Sequence, residues 1–180
     1  AFDSYSSPMP YAYGDVSAII TQGGNYVVAH DAATGTELWR QNHNPEMGRF
    51  WRLIPSPMAA GELVIGVQPR GGAAFAVRPA PNKTFAYTES HWIFDEKTTD
   101  VPTPVFYKDR VYLLNDVRGT VFCLDVATGK PVWTAELDAD GRIWSSPVVA
   151  EDKMYIMTDT GQVITAAIGE KFEILSRNNL

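Results

Sequence analysis

Two stretches, VVAHDAATGTELWRQN (Val27 to Asn42) and VFCLDVATGKPVWTAE (Val121 to Glu136), carry Asp, Ala-Thr-Gly and Trp at the same offsets. Each opens as an apolar strand, turns at Asp-x-x-Thr-Gly and resumes as a strand that brings a Trp four residues after the Gly. The spacing is turn chemistry. Asp and Thr side chains bond to nearby backbone amides, and Gly takes the left-handed conformation that closes a hairpin. A Trp on the strand that follows points into the gap between neighbouring sheets, where its ring buries roughly 150–250 Å². On this reading Asp31, Gly35, Trp39, Asp125, Gly129 and Trp133 are structural residues of a repeat.

A second element recurs around these stretches: YSSPM (Tyr5 to Met9), IPSPM (Ile54 to Met58), VPTPV (Val101 to Val105) and WSSPV (Trp144 to Val148). The last proline of each falls at positions 8, 57, 104 and 147, giving steps of 49, 47 and 43 residues. That period matches a four-stranded propeller blade. The third unit reads as TPVFYK, RVYLLND, TVFCLDV and PVWTAEL, and the fourth as SPVVAE, KMYIMTD, QVITAAI and KFEILS. These are β-branched and aromatic runs of strand length bounded by turn residues, with no helical period. The sequence therefore predicts an all-β chain of about four blades, at residues 5–48, 53–98, 101–140 and 143–178.

The second unit departs from the pattern. SPMAAG, ELVIGVQ and AAFAVRP are clear strands, but APNKTFAYTES follows where the others turn at Thr-Gly. Ala80 to Ser90 reads as an expanded connection, with Trp92 in the place of the repeat tryptophan.

Bulk properties narrow the class. A chain of 180 residues with 45% hydrophobic and 20% charged content has the balance of a globular protein with a real core. A net charge of −6 argues against nucleic-acid binding by bulk electrostatics. Cys123 is the only cysteine, so no intrachain disulfide forms. No apolar run reaches the ~20 residues that span a bilayer, and Ala1 to Pro10 has neither the basic start nor the apolar core of a signal peptide.

DAATGTELW and DVATGKPVW, each preceded by a Ser/Thr-Pro strand, resemble the repeat of PQQ-like β-propellers. That family includes quinoprotein alcohol dehydrogenases and the propeller lipoprotein of the outer-membrane β-barrel assembly machine. The likeness is strong in the first and third units, rests on strand pattern in the fourth and is loose in the second. It implies rings of seven or eight blades, so four blades are part of a longer ring or one of two half-rings that pair their open edges, ahead of a lone four-blade ring. It also implies a periplasmic or exported location.

The resemblance raises a quinoprotein dehydrogenase as one reading, which needs pyrroloquinoline quinone, a calcium ion, a catalytic aspartate and a vicinal Cys-Cys pair. The chain has no such pair and no loop matching the calcium or base positions, so no cofactor is assigned. DADG (Asp138 to Gly141) starts like a calcium loop but lacks the later oxygen ligands, and reads as an exposed turn. His30, His43 and His91 lack a metal-ligand spacing, and no metal site is expected. Ser6, Ser7, Ser145 and Ser146 sit at repeat positions without a nucleophile elbow, so they read as structure.

One distribution stands apart from the repeat. Strands alternate direction, so the connections between blades share a face with the loops joining second and third strands. Tyr5, Arg49, Phe50, Trp51, Arg52, Arg70, Arg118, Arg142 and Trp144 lie there, including five of the nine arginines of an acidic chain. Arg and aromatic residues dominate binding hot spots. The expected function is a non-catalytic scaffold that binds a protein or peptide on this face, with a quinoprotein-like enzyme or a carbohydrate-binding propeller as alternatives.

Overall fold

The computed structural model describes residues 3–45 and 52–180. A short β1 (Asp3–Ser4) precedes the first blade, which holds β2 (Met9–Tyr13), β3 (Val16–Gln22), β4 (Tyr26–Asp31) and β5 (Glu37–Asn42). Next, β6 (Arg52–Leu53) pairs in parallel with β1. The second blade contributes β7 (Met58–Ala60), β8 (Leu63–Val67) and β9 (Ala74–Val77); β10 (Lys83–Phe85) and β11 (Trp92–Phe94) follow. The third is β12 (Val105–Tyr107), β13 (Arg110–Asn115), β14 (Thr120–Asp125) and β15 (Pro131–Glu136). The fourth is β16 (Val148–Ala150), β17 (Lys153–Met157), β18 (Gln162–Ile168) and β19 (Phe172–Asn179). Every blade is an antiparallel meander, as the repeat predicts, with β11 as the fourth strand of the second blade.

The repeat residues act as their chemistry requires. Asp31 Oδ1 accepts from the amides of Ala33 and Thr34 and from the Thr34 hydroxyl. Asp125 Oδ1 accepts from the Thr128 amide and hydroxyl. Those bonds hold both carboxyls below the usual carboxylate range, the Thr hydroxyl being the largest cause. The Ser/Thr-Pro elements form a relay between blades: the Ser7 amide donates to Ser56 Oγ, the Ser56 amide to Thr103 Oγ1 and the Thr103 amide to Ser146 Oγ, at 2.9, 3.1 and 2.9 Å. Each hydroxyl oxygen accepts the amide of the equivalent residue in the neighbouring blade, and the proline that follows has no amide of its own to satisfy.

Two of the repeat-position tryptophans, Trp92 and Trp133, dock on the outer turn of the next blade. Trp92 Nε1 donates to the Val126 carbonyl at 2.7 Å, and Trp133 Nε1 to the Gly169 carbonyl at 3.1 Å. Gly129 makes the first contact possible. Its φ is +68°, and a Cβ there would stand 2.6 Å from the Trp92 ring.

Ala80 to Ser90, expected as an expanded connection, is partly regular. Strand β10 leaves the second blade and joins the first in parallel with β5, opposite Trp39, Arg40 and Gln41. A 3₁₀ turn over Tyr87–Glu89 then leads back to β11. Pro79 and Pro81 explain the detour, because neither donates to a ladder and both resist the left-handed conformation of a tight hairpin. Phe85 fixes the strand by burying its ring edge-on against Trp39, with centroids 6.3 Å apart.

Three apolar clusters fill the three seams between blades. Ile20, Trp39, Val64, Phe75 and Phe85 close the first; Ile65, Trp92, Val111, Leu113 and Leu124 the second; Tyr112, Leu114, Met154, Ile156 and Ile164 the third. In the second blade, packed on both faces, β8 is buried at every position. In the fourth blade, β17 alternates between buried and exposed. Tyr155 and Met157 hold the register positions of Tyr112 and Leu114, which the fourth blade buries, yet they lie open to solvent beside Val148, 62% exposed.

Candidate functional site

The face inferred from strand direction is assembled by hydrogen bonds between the connections that join blades and the loops between second and third strands of the blades on either side. The Thr98 hydroxyl donates to the Gly72 carbonyl at 2.7 Å, and Asn115 Nδ2 to the Lys97 carbonyl at 2.8 Å. The Leu137 amide donates to Gly119 O, and the Arg142 amide to Asp159 Oδ1. Connection and loop are therefore fixed relative to each other, which preorganises whatever they carry.

Two loops bring cations together. Pro69-Arg70-Gly71-Gly72 joins β8 to β9, with Arg70 at φ 63° and Gly71 at φ 66°. A left-handed arginine costs on the order of 1 kcal/mol and persists where the surrounding structure enforces it. Asp116-Val117-Arg118-Gly119 joins β13 to β14, where Asn115 Oδ1 accepts from the Val117 and Arg118 amides. Lys97 lies on the connection between these loops, held by its carbonyl.

Three clefts meet at these residues. The largest, about 680 Å³, is lined by Arg70, Gln68, Asn44, Tyr87, Asp95 and Lys97 among others. A second of about 250 Å³ lies between Arg70, Lys97, Asp100, Asp116 and Arg118. A third of about 360 Å³ runs from Lys97 and Arg118 to Phe94, Phe122 and Glu136. Lys97 lines all three. Arg70, Lys97 and Arg118 make no ion pair among the described residues, whereas Arg40, Arg52, Arg78 and Arg110 each do. Val117, 81% exposed, sets an apolar side chain beside Arg118.

The other residues expected on this face are distributed differently. Arg52 is engaged within the fold: its guanidinium meets Asp100 Oδ2 at 2.9 Å, while Asp116 accepts from the Asp100 amide. Tyr5 is exposed and anchored by its amide to the Leu53 carbonyl. Arg142 and Trp144 are exposed on the connection between third and fourth blades, and like Tyr5 they line none of the three clefts. Arg49, Phe50 and Trp51 lie outside the described residues. Lys97 and Val117 were missed by sequence reasoning. Both stand on the same loops and connections as the arginines, but neither is an arginine or an aromatic residue.

The remaining sequence candidates have structural roles. His43 is buried in the first seam, with Nε2 2.9 Å from the Gly23 carbonyl and its ring stacked on Phe75 at 5.3 Å. Burial pushes its pKa down to about 4, so it is neutral. His91 Nε2 lies 3.0 Å from the Ala127 carbonyl, beside the Trp92 contact. The turn at Asp138 to Gly141 closes onto the fourth blade, where the Asp140 amide donates to Gln162 Oε1. Ser56 and Ser146 are spent in the relay, and Ser145 Oγ donates to the Met157 carbonyl.

Cys123 is single and buried, its thiol pushed up to about 11 by burial, in the seam between third and fourth blades. No three His, Cys, Asp or Glu side chains are grouped to hold a metal among the described residues.

Blades built from Asp-x-x-Thr-Gly turns, interblade tryptophans and a Ser/Thr relay define a β-propeller of the PQQ-like repeat class. The chain belongs to the family described as outer membrane protein assembly factor BamB, whose model matches residues 23–171. Among solved structures it is similar to BamB from Moraxella catarrhalis, at 19% identity and a TM-score of 0.70, over 100% of this chain and 50% of that one. It is also similar to quinohemoprotein alcohol dehydrogenase from Comamonas testosteroni, at 12% and 0.69, over 99% of this chain and 35% of that one. The computationally designed Ika4 protein matches at 12% and 0.63, over 94% and 92% of the two chains. At these identities the likenesses show the fold. The chain spans about half the length of the Moraxella protein. No curated protein matches the sequence. No helix among the described residues is long and apolar enough to cross a membrane.

Proposed function

We propose that this propeller is a non-catalytic scaffold whose loop face holds a protein or peptide partner, with Arg70, Lys97 and Arg118 pairing with the partner's carboxylates. The observation that carries the reading is this set of three cations, without ion pairs among the described residues, around joined clefts in a chain of net charge −6. Cations at a rim contribute roughly 0.2–1 kcal/mol each and steer association; those desolvated on binding contribute more. The family's description as an outer-membrane assembly factor supports an exported protein and a partner from that assembly.

The test is capture of outer-membrane assembly proteins by the purified chain. Arg70→Glu with Arg118→Glu should abolish capture while far-UV circular dichroism and melting temperature hold, and added salt should weaken capture by the native chain. Undiminished capture by the folded double variant would overturn the proposal. Arg52→Ala should instead lower stability, since it removes the partner of Asp100.

A second proposal concerns assembly. We infer that the exposed face of the fourth blade and the opposite face of the first, with Ile19, are halves of a seam that a further blade closes. The relay supports this, because Ser146 offers its amide at one end and Ser7 its hydroxyl at the other. For the chain by itself the partner is a second copy, which would complete an eight-bladed ring.

A further inference from the structure

We propose a second peptide-binding site, on the opposite face from the loop cations, at the outer end of the first seam. Trp92 and Trp133 each donate their indole N–H to the outer turn of the next blade. Trp39 holds the same station in the first blade, yet its Nε1 is buried with no acceptor among the described residues. The acceptor it lacks is the turn that the second blade never makes. Register places Arg78 where the third blade has Asp125, and Pro79 where it has Val126, the residue whose carbonyl receives Trp92. From there Pro79-Ala80-Pro81 carries the chain away to β10, and the space against Trp39 is a cavity of about 250 Å³.

The walls of that cavity are apolar: Tyr11, Val16, Leu38, Trp39, Ala80 and Pro81. Tyr11 and Trp39 belong to the apolar cluster of the first seam, so the cavity continues an interface that already exists. Glu62 and Arg78 form an ion pair at its edge, and both side chains are largely exposed, which leaves Arg78 able to turn to an incoming carboxylate.

The occupant that fits is a peptide turn of a partner protein presenting a backbone carbonyl beside a small aliphatic side chain, with an acidic residue next to it. It is the chemistry of Asp125-Val126-Ala127 on Trp92, supplied from outside the blade. Because the hairpin turns and the loops between second and third strands lie at opposite strand ends, this site and the cation clefts are separate. Loss of one leaves the other standing.

The probe is the acetylated and amidated peptide of residues 124–130, LDVATGK, titrated into the ¹⁵N-labelled chain. The Trp39 indole N–H resonance, assigned with Trp39→Phe, should shift downfield and saturate while the other four indoles stay in place. Ala80→Leu, which fills the cavity, should weaken binding by about tenfold or more, and Trp39→Phe, which removes the donor, by several-fold. A Trp39 resonance that does not move, that moves equally with a scrambled peptide, or that responds unchanged in Ala80→Leu would overturn the site. If Ala80→Leu does not fold, affinity for Trp39→Phe read from the backbone amides of Leu38 and Ala80 decides the question, equal affinity overturning it.

Discussion

The seam between the second and third blades and the seam between the first and second are built from the same strands but finished differently. In the former, Trp92 finds its carbonyl, Gly129 receives the ring and the centre is apolar from Ile65 to Leu124. In the latter, Trp39 Nε1, Gln22 Oε1, Gln41 Oε1 and His43 Nδ1 are all buried without partners among the described residues. Each such atom costs roughly 1–3 kcal/mol relative to a bonded one. The difference teaches that the turn motif does more than close a hairpin, since it supplies the acceptor for the blade before it. Where the motif lapses, the preceding blade carries the cost.

This contrast can be broken by measurement. Trp92→Ala should destabilise by about 3–5 kcal/mol in urea unfolding, and exceed Trp39→Ala by ~1–2 kcal/mol for the lost bond and ring contact. Equal losses would remove the distinction between the seams. Acid should act on the first seam. The His43 imidazole titrates near 6.5 when unfolded and about 4 when folded, so between those values the unfolded chain binds the extra proton. Stability should then fall on the order of 3 kcal/mol as pH drops through that window. His43→Gln should flatten the profile there.

Smaller effects sharpen the comparison. Gly129→Ala should cost about 2–3 kcal/mol, for the left-handed backbone and the clash with Trp92, whereas Gly35→Ala should cost only about 1 kcal/mol. Gly35 also has positive φ, but no atom lies within 4 Å of the position its Cβ would take. Smallest is the indole pair. Trp92→Phe should lose ~1 kcal/mol by stranding the Val126 carbonyl, and Trp39→Phe should be near neutral because its N–H has nothing to lose.

Much of this was legible in the sequence because a repeat writes its own alignment: Asp31 with Asp125, Gly35 with Gly129 and the four prolines fix period, strand order and blade number. The allegiance of β10 was not legible. Lys83-Thr84-Phe85 is a short run whose partner is decided by where Phe85 can bury, and that lies against Trp39 of another blade. The loop face was legible as a face, through strand direction, but not residue by residue. Arg52 and Arg70 look alike in sequence, and only the position of Asp100 makes one a brace and leaves the other facing the clefts. The Ser/Thr relay was visible as recurrence, but its bonds run between blades, which a linear reading does not place side by side.

The described residues form blades joined by seams, with exposed apolar side chains on the outer faces of the first and fourth blades. Mass in solution tests most directly whether a further blade closes these faces. Sedimentation equilibrium at micromolar concentration should return about twice 19.9 kDa, shifting toward monomer when Tyr155→Lys and Met157→Lys charge the open face of the fourth blade. A native chain that stays at 19.9 kDa, folded and monodisperse, would contradict the claim that these end faces are seams awaiting a blade.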